Sequence, residues 1–111
     1  MSRKGTSILV AKASNLESLI DYQEDSVVSR TIVDRKAGTI TLFAFDESQG
    51  LSEHTAPYEA MVYVIDGEVS ITISCKSISL KRGEVTIIPA NQPHSLTAKT
   101  KFKMLLTMIK G

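Results

Sequence analysis

Two histidines are the side chains of this sequence best suited to chemistry. His54 and His94 lie 40 residues apart, and each stands in a turn-rich stretch beside a predicted strand. Imidazole is the commonest protein metal ligand and a general acid or base near neutral pH. An isolated histidine is more often a surface or hydrogen-bonded residue, so the flanking residues must decide. We treat this pair as the candidate catalytic, ligand-binding and metal-binding residues.

The segments around both histidines show the spacing of a known family. The stretch GLSEHTAPYEAMVYVIDG, residues 50–67, resembles the first motif of the cupin superfamily, and GEVTIIPANQPHSLTA, residues 83–98, resembles the second. Within the second motif the spacing of Gly83, Pro89 and His94 matches throughout. The resemblance extends over residues 39–109. It implies an all-β, cupin-type double-stranded β-helix (a jelly-roll barrel) in a single domain that spans residues 1–111.

Two of the four metal-ligand positions implied by the resemblance are altered. The family offers three histidines and one glutamate, and His54 and His94 take the first and third histidine positions. Ala56 stands at the second histidine position and Ala60 at the glutamate position. Glu59 is adjacent, but a shift of one residue along a strand points a side chain to the opposite face.

This reduced ligand set limits the metal chemistry that the sequence predicts. Sites with an open catalytic position usually keep three protein ligands. Two histidines alone would hold a divalent ion such as Zn, Fe, Mn or Ni weakly, unless Glu59, Gln92 or a buried water completes the site. Asn91 replaces the turn glycine of the second motif, a mild change because asparagine tolerates positive φ.

The two alanines leave space beside His54, and two interpretations of that space remain open. In one, Met61, Tyr58, Met104 or Phe102 repacks into it. In the other, an apolar pocket with two histidines in its wall accepts a small organic ligand. The candidate ligand-binding residues are His54, His94, Tyr58, Gln92, Ala56, Ala60 and Met104.

The elements that would position these residues are mostly strands. Ser14 and Glu17 fit a capping box, which predicts a short helix over about residues 14–21. Runs with a period of two follow, separated by turn signals at Ala37-Gly38, Asp66-Gly67 and Lys76-Ser77. Cys75 continues the apolar face of the strand that begins at Val69, which predicts an inert core thiol.

Composition narrows the class of protein. The chain has 111 residues, with 13 Lys plus Arg, 12 Asp plus Glu and a net charge of +1. That balance argues against nucleic acid as a partner. A single cysteine favours a reducing, cytoplasmic location. The N-terminal apolar run, residues 8–11, is shorter than the roughly 7–15 residues of a secretory signal or the ~18 of a membrane span.

Three functions remain as hypotheses. The first is a small barrel that binds a small organic ligand beside the two histidines. The second is a metal-dependent isomerase or dioxygenase of the cupin type with only two histidine ligands. The third is a non-catalytic sensing or interaction module, expected to be a homodimer. The last apolar run, residues 102–109, is apolar on both faces, so one face needs cover from a second subunit or from the N-terminal segment.

Overall fold

The computed structural model describes residues 9–111, and across that range it is built almost entirely of strands. The predicted all-β class is confirmed. Nine strands run through this part of the chain. They are β1 (Val27–Arg35), β2 (Gly38–Phe45), β3 (Gly50–His54), β4 (Glu59–Asp66), β5 (Glu68–Ile73), β6 (Lys76–Lys81), β7 (Val85–Ile88), β8 (His94–Ala98) and β9 (Phe102–Ile109).

The strands form two antiparallel sheets that pack face to face. One has five strands in the order β1-β2-β9-β4-β7, and the other has four in the order β3-β8-β5-β6. Alternate residues of each sheet point into the space between them, as a half-buried strand requires. Phe45 and Phe102 stack there with ring centroids 4.6 Å apart. Both are fully buried and belong to the core between the sheets.

The connection after β4 carries the chain from one sheet to the other. The Asp66-Gly67 signal does mark a turn, but β4 and β5 do not pair as a hairpin, because they belong to different sheets. Gly67 has a φ of 76°. A Cβ at this position would meet the carbonyl oxygen of Lys101 and the Cα of Phe102. The corner therefore depends on a residue without a side chain.

The hairpin between β5 and β6 corrects the prediction for Cys75. Ser74 and Cys75 form its two-residue loop, with φ angles of 47° and 69°, and Lys76 already belongs to β6. Two positive φ angles are typical of the tight turns that match the twist of paired strands. Cys75 is therefore exposed rather than a core thiol. The alternation of apolar and polar residues continues through the turn, so the sequence does not indicate where the strand ends.

The short helix predicted over about residues 14–21 is present only as a four-residue 3-10 helix, Leu16–Leu19. Asn15 rather than Ser14 caps it by accepting a hydrogen bond from the Glu17 amide at 3.0 Å. The turn ends at Ile20, whose backbone is extended and whose side chain is buried. Because the backbone is extended at Ile20, the helix does not continue, and the Ile20 side chain joins the apolar cluster on the sheet.

The N-terminal segment covers part of the outer face of the five-stranded sheet. A second apolar cluster forms there around Ile20, Ile32, Leu42, Ala44 and Ile65. Leu16, Leu19 and Tyr22 of the N-terminal segment pack against it. This is one of the two covers predicted for the outer face of β9, whose Leu105 joins the cluster.

Strand β3 and the first hairpin differ from the sequence prediction. Residues Gly50–His54 form β3, which the sequence does not predict as a strand because it includes no β-branched side chain. The first hairpin turns at Lys36-Ala37, and Gly38 already belongs to β2.

Within residues 9–111 no helix has the length and apolar character needed to cross a membrane. Residues 1–8, which include Ile8 of the short N-terminal apolar run, lie outside the described residues.

Candidate functional site

The two histidines meet where the strands that carry them begin and end. His54 is the last residue of β3 and His94 is the first of β8, and the two are partners across an antiparallel ladder. A register shift between Leu51 and His54 precedes the pairing. The ring centroids lie 4.3 Å apart with an angle of 63° between the planes. The structure thus brings together two residues that are 40 positions apart in the sequence.

Each imidazole is held in place by a backbone carbonyl of its own chain segment. The Nδ1 atom of His54 lies 2.8 Å from the carbonyl oxygen of Ser52. The Nδ1 atom of His94 lies 2.9 Å from the carbonyl oxygen of Gln92. Both contacts link a ring to the residue two positions earlier, so the same local arrangement occurs twice. A carbonyl oxygen can only accept, so Nδ1 donates in both cases.

The histidines lie at the mouth of a cleft of about 50 Å³ between the two sheets. His54 is exposed and His94 is half-buried, whereas Val62 and Met104 are buried at the inner end. The cleft therefore has polar groups at its rim and an apolar floor. Its lining residues are Leu51, His54, Ala56, Tyr58, Ala60, Val62, Ile88, His94, Leu96, Met104, Leu106 and Met108.

The space beside the two alanines is filled only in part. Ala56 and Ala60 line the cleft, as do Tyr58 and Met104, two of the residues that could have repacked into it. The other two lie elsewhere. Phe102 stacks on Phe45 in the closed part of the core, and Met61 points to the outer face of its sheet with 36% of its surface exposed. The structure retains a cavity where the alanines stand.

Gln92 contributes to the site through its backbone rather than through its side chain. Its carbonyl oxygen accepts a hydrogen bond from Nδ1 of His94, whereas its side-chain oxygen accepts one from the Ser74 hydroxyl. Gln92 is not among the residues that line the cleft. Asn91 has a φ of 64°, as expected for a residue at a turn-glycine position. Its amide donates to the carbonyl oxygen of Ala56 at 2.8 Å, which ties together the two segments that carry the histidines.

The donor set fits a tightly bound metal ion poorly. No group of three or more His, Cys, Asp or Glu side chains comes together within residues 9–111. Glu59, the carboxylate next to Ala60 in the sequence, is exposed on the face of β4 opposite to Ala60. Two imidazoles fall short of the three protein ligands that catalytic sites usually provide.

Sequence reasoning missed about half of the lining residues. Leu51, Ile88, Leu96, Leu106 and Met108 were not among the candidates. Alternation could have found the last two, because Met104, Leu106 and Met108 share one face of β9. Leu51 and Leu96 are partners across the ladder that also pairs the histidines. That contact depends on which strands are neighbours, which no short stretch of sequence specifies.

The two-sheet fold agrees with the comparison with known protein families. The sequence model of the cupin domain family matches residues 41–110. The chain therefore belongs to the cupin family.

Solved structures place it among small proteins of this family. A protein of unknown function from Streptococcus pyogenes is 35% identical, with a TM-score of 0.87 over 91% of this chain and 89% of that one. A cupin superfamily protein from Desulfitobacterium hafniense is 28% identical, with a TM-score of 0.87 over 91% and 93%. An RmlC-like cupin protein from Desulfovibrio desulfuricans is 25% identical, with a TM-score of 0.78 over 89% and 96%. No curated protein matches the sequence.

Proposed function

We propose that this chain is a cupin domain that binds a small organic molecule in the cleft beside His54 and His94. The observation that carries the proposal is the composition of the cleft, which has an apolar floor and a rim of two histidines and a tyrosine. Ligand pockets typically combine apolar walls with a few polar groups that fix orientation. The substitutions Ala56 and Ala60 support the proposal, because they provide space where the family resemblance implies metal ligands.

Neighbouring positions on β4 provide a test with a matched control. Ala60 faces the cleft and Met61 faces outward. A screen of small neutral and charged compounds against methyl-labelled protein would find ligands through shifts at Met104 and Met108. Ala60→Leu fills the cleft and should abolish those shifts, whereas Met61→Leu should leave them unchanged. Equal binding by both variants would contradict the proposal.

The histidines can be tested in the same assay. His54→Ala combined with His94→Ala removes both polar groups of the β3–β8 ladder from the rim and leaves the floor intact. The variant should lose affinity for every ligand found by the screen. Unchanged affinity would show that the ligand binds without the pair, and the proposed role of the histidines would be wrong.

A metal-dependent isomerase or dioxygenase is the second candidate. The observation that favours it is the pair of hydrogen bonds from Nδ1 to backbone carbonyls, because metal-bound histidines usually donate their other nitrogen in this way. Elemental analysis of untagged protein decides between the two. Less than ~0.1 metal ion per chain, with no activity after addition of Fe, Mn, Ni or Zn, would exclude the metal-dependent function.

We also propose that the chain forms a homodimer through the outer face of its five-stranded sheet. The N-terminal segment covers one part of this face, and four large apolar side chains remain exposed on the rest. They are Met61 at 36%, Val85 at 52%, Ile87 at 48% and Ile109 at 56%. Strand pairing places these side chains on neighbouring strands of one surface. Contiguous exposed apolar area of this kind is typical of an interface.

A further inference from the structure

The hydrogen bonds of the two histidines determine what the mouth of the cleft offers to a ligand. Because Nδ1 of each ring donates to a carbonyl oxygen at 2.8 or 2.9 Å, that nitrogen carries the proton. A neutral imidazole has one protonated nitrogen and one that accepts. In the neutral form of the two rings, the Nε2 atoms of His54 and His94 are therefore acceptors, and the ring centroids are 4.3 Å apart.

The rest of the cleft offers little that donates. Apart from the histidines, the lining side chains are aliphatic residues, methionines and Tyr58. The hydroxyl of Tyr58 is the one further group there that can donate or accept. Val62, Leu96 and Met104 form an apolar floor that offers no compensation to a charged group. Within the described residues the cleft is therefore rich in acceptors at its mouth and without charge at its base.

From this arrangement we propose that the cleft selects a neutral ligand with an apolar end and an O–H or N–H donor beside it. The proposal rests on the ligand-binding function proposed above and names its ligand class. The apolar end lies on the floor near Met104, and the donor binds Nε2 of His54 or His94. While both rings are neutral, a carboxylate at the same position would face two lone pairs over an apolar surface, so anions bind more weakly.

The size of the cleft restricts the ligand further. A dry cavity that accepts benzene measures about 150 Å³, whereas this cleft measures about 50 Å³. A ring-sized molecule can be enclosed only if side chains move. Met104 and Met108 line the cleft, and methionine adapts its shape more readily than branched residues do. Part of the ligand extends through the mouth past the exposed His54.

Three probes of similar shape test the donor requirement. Phenol carries a donor, toluene replaces the hydroxyl with a methyl group, and benzoate replaces it with a carboxylate. Chelator-treated protein is titrated with each, and binding is followed through the methyl signals of Met104 and Met108. Phenol should bind roughly 2- to 13-fold more tightly than toluene, the range that one net hydrogen bond provides. Benzoate should bind more weakly than either.

The outcomes separate this inference from the function on which it rests. If none of the probes shifts the methyl signals, the proposed pocket function fails, and the inference fails with it. If toluene or benzoate binds as tightly as phenol, the pocket function stands and the donor requirement is wrong. His54→Phe combined with His94→Phe should remove the preference for phenol over toluene. Glu53→Gln, on the exposed part of β3, should preserve it.

A spectroscopic measurement tests the inference without any ligand. Long-range proton–nitrogen correlation spectra distinguish the two neutral forms of each imidazole at mildly alkaline pH. Both His54 and His94 should show a protonated Nδ1 and an unprotonated Nε2. A protonated Nε2 on both rings would overturn the inference, because the mouth would then offer donors instead of acceptors.

Discussion

Two glycines with left-handed backbone stand in opposite surroundings. Gly67 has a φ of 76° and Gly83 a φ of 87°. A Cβ on Gly67 would come within 2.8 Å of the Cα of Phe102, whereas nothing lies within 4 Å of a Cβ on Gly83. A substitution at Gly83 therefore tests backbone strain alone, whereas a substitution at Gly67 tests strain together with a steric clash.

The expected result is a large difference between two identical substitutions. Gly83→Ala adds only the cost of a left-handed alanine, about 1–2 kcal/mol of unfolding free energy. Gly67→Ala adds that cost and a clash with the backbone before β9, so it should destabilise the protein considerably more or prevent folding. Urea unfolding of both variants measures the difference. Equal destabilisation would show that the corner at Gly67 relaxes freely.

Cys75 provides a second prediction for a single residue. It is exposed in the loop between β5 and β6, so a thiol reagent such as DTNB should label it in the native protein. Denaturant should raise the labelling rate only slightly, because the thiol is already accessible. Labelling that requires unfolding would indicate the core position that the alternating sequence suggested.

At the scale of elements, the N-terminal segment is fixed to the sheet by polar contacts as well as by apolar packing. The hydroxyl of Tyr22 donates to Asp66 at 2.6 Å. The buried Lys103 donates from Nζ to the carbonyl oxygen of Glu17 at 2.6 Å and lies 4.9 Å from the centre of the Tyr22 ring. Arg82 forms an ion pair with Glu17 at 3.2 Å, although the Arg82 side chain is largely exposed. The contacts of Tyr22 and Lys103 are therefore the less exposed of the polar contacts that attach the N-terminal segment to the sheet.

This attachment should make stability depend on alkaline pH. Burial, followed by the hydrogen bond to Asp66, raises the pKa of Tyr22 well above its ordinary value. The folded state then holds the phenol proton more tightly than the unfolded state. The contribution of protonated Tyr22 to the unfolding free energy is complete below the unfolded pKa of about 10, and it is lost as the pH rises above that value. The unfolding free energy of the native sequence should fall in that range.

Tyr22→Phe tests this origin of the pH dependence. The variant should lose about 1 kcal/mol near neutral pH, since the hydrogen bond to Asp66 is removed, and its stability should fall less steeply above about pH 10. Tyr63→Phe, a half-buried tyrosine associated with the same apolar cluster, is the control. An identical alkaline slope in Tyr22→Phe and the native sequence would contradict the assignment.

The elements themselves could be predicted where their side chains alternate and not where a turn interrupts the pattern. The predicted apolar run over residues 102–109 coincides with β9. Cys75 was misplaced because its turn does not break the alternation. The helix was predicted from Ser14 and Glu17, yet Asn15 accepts the first hydrogen bond and Ile20 is drawn into a tertiary cluster. Packing at that position outweighs local propensity.

At the scale of the whole molecule, the site depends on which strands are neighbours. The motifs at residues 50–67 and 83–98 were enough to predict the family and to predict that the two histidines share one barrel. The partnership of β3 with β8 sets the distance between the rings, and the hydrogen bonds of Nδ1 to Ser52 and Gln92 set their orientation. The ladder joins backbone atoms, and each ring bonds to a backbone carbonyl, so the side-chain types of the partner residues carried no signal for these contacts.

The proposed dimer is tested at this same scale. Sedimentation at ~10 µM should show two chains per particle, because an apolar sheet face of this kind is expected to pair with its equivalent. Ile87→Lys places a charge in that face and should produce a monomer. Thr97→Lys, exposed on the other sheet, should remain a dimer. A monomer for the native sequence, or a dimer for Ile87→Lys, would contradict this interface.

The position of β9 between β2 and β4 has a consequence for biosynthesis. The five-stranded sheet is divided into two unconnected pairs, β1-β2 and β4-β7, until residues 102–109 insert between them. While the ribosome is still extending the chain toward these residues, the edges of β2 and β4 are open, and open edges recruit other chains. Nascent chains stalled before Phe102 should therefore depend on chaperones, whereas chains extended past Ile109 should not.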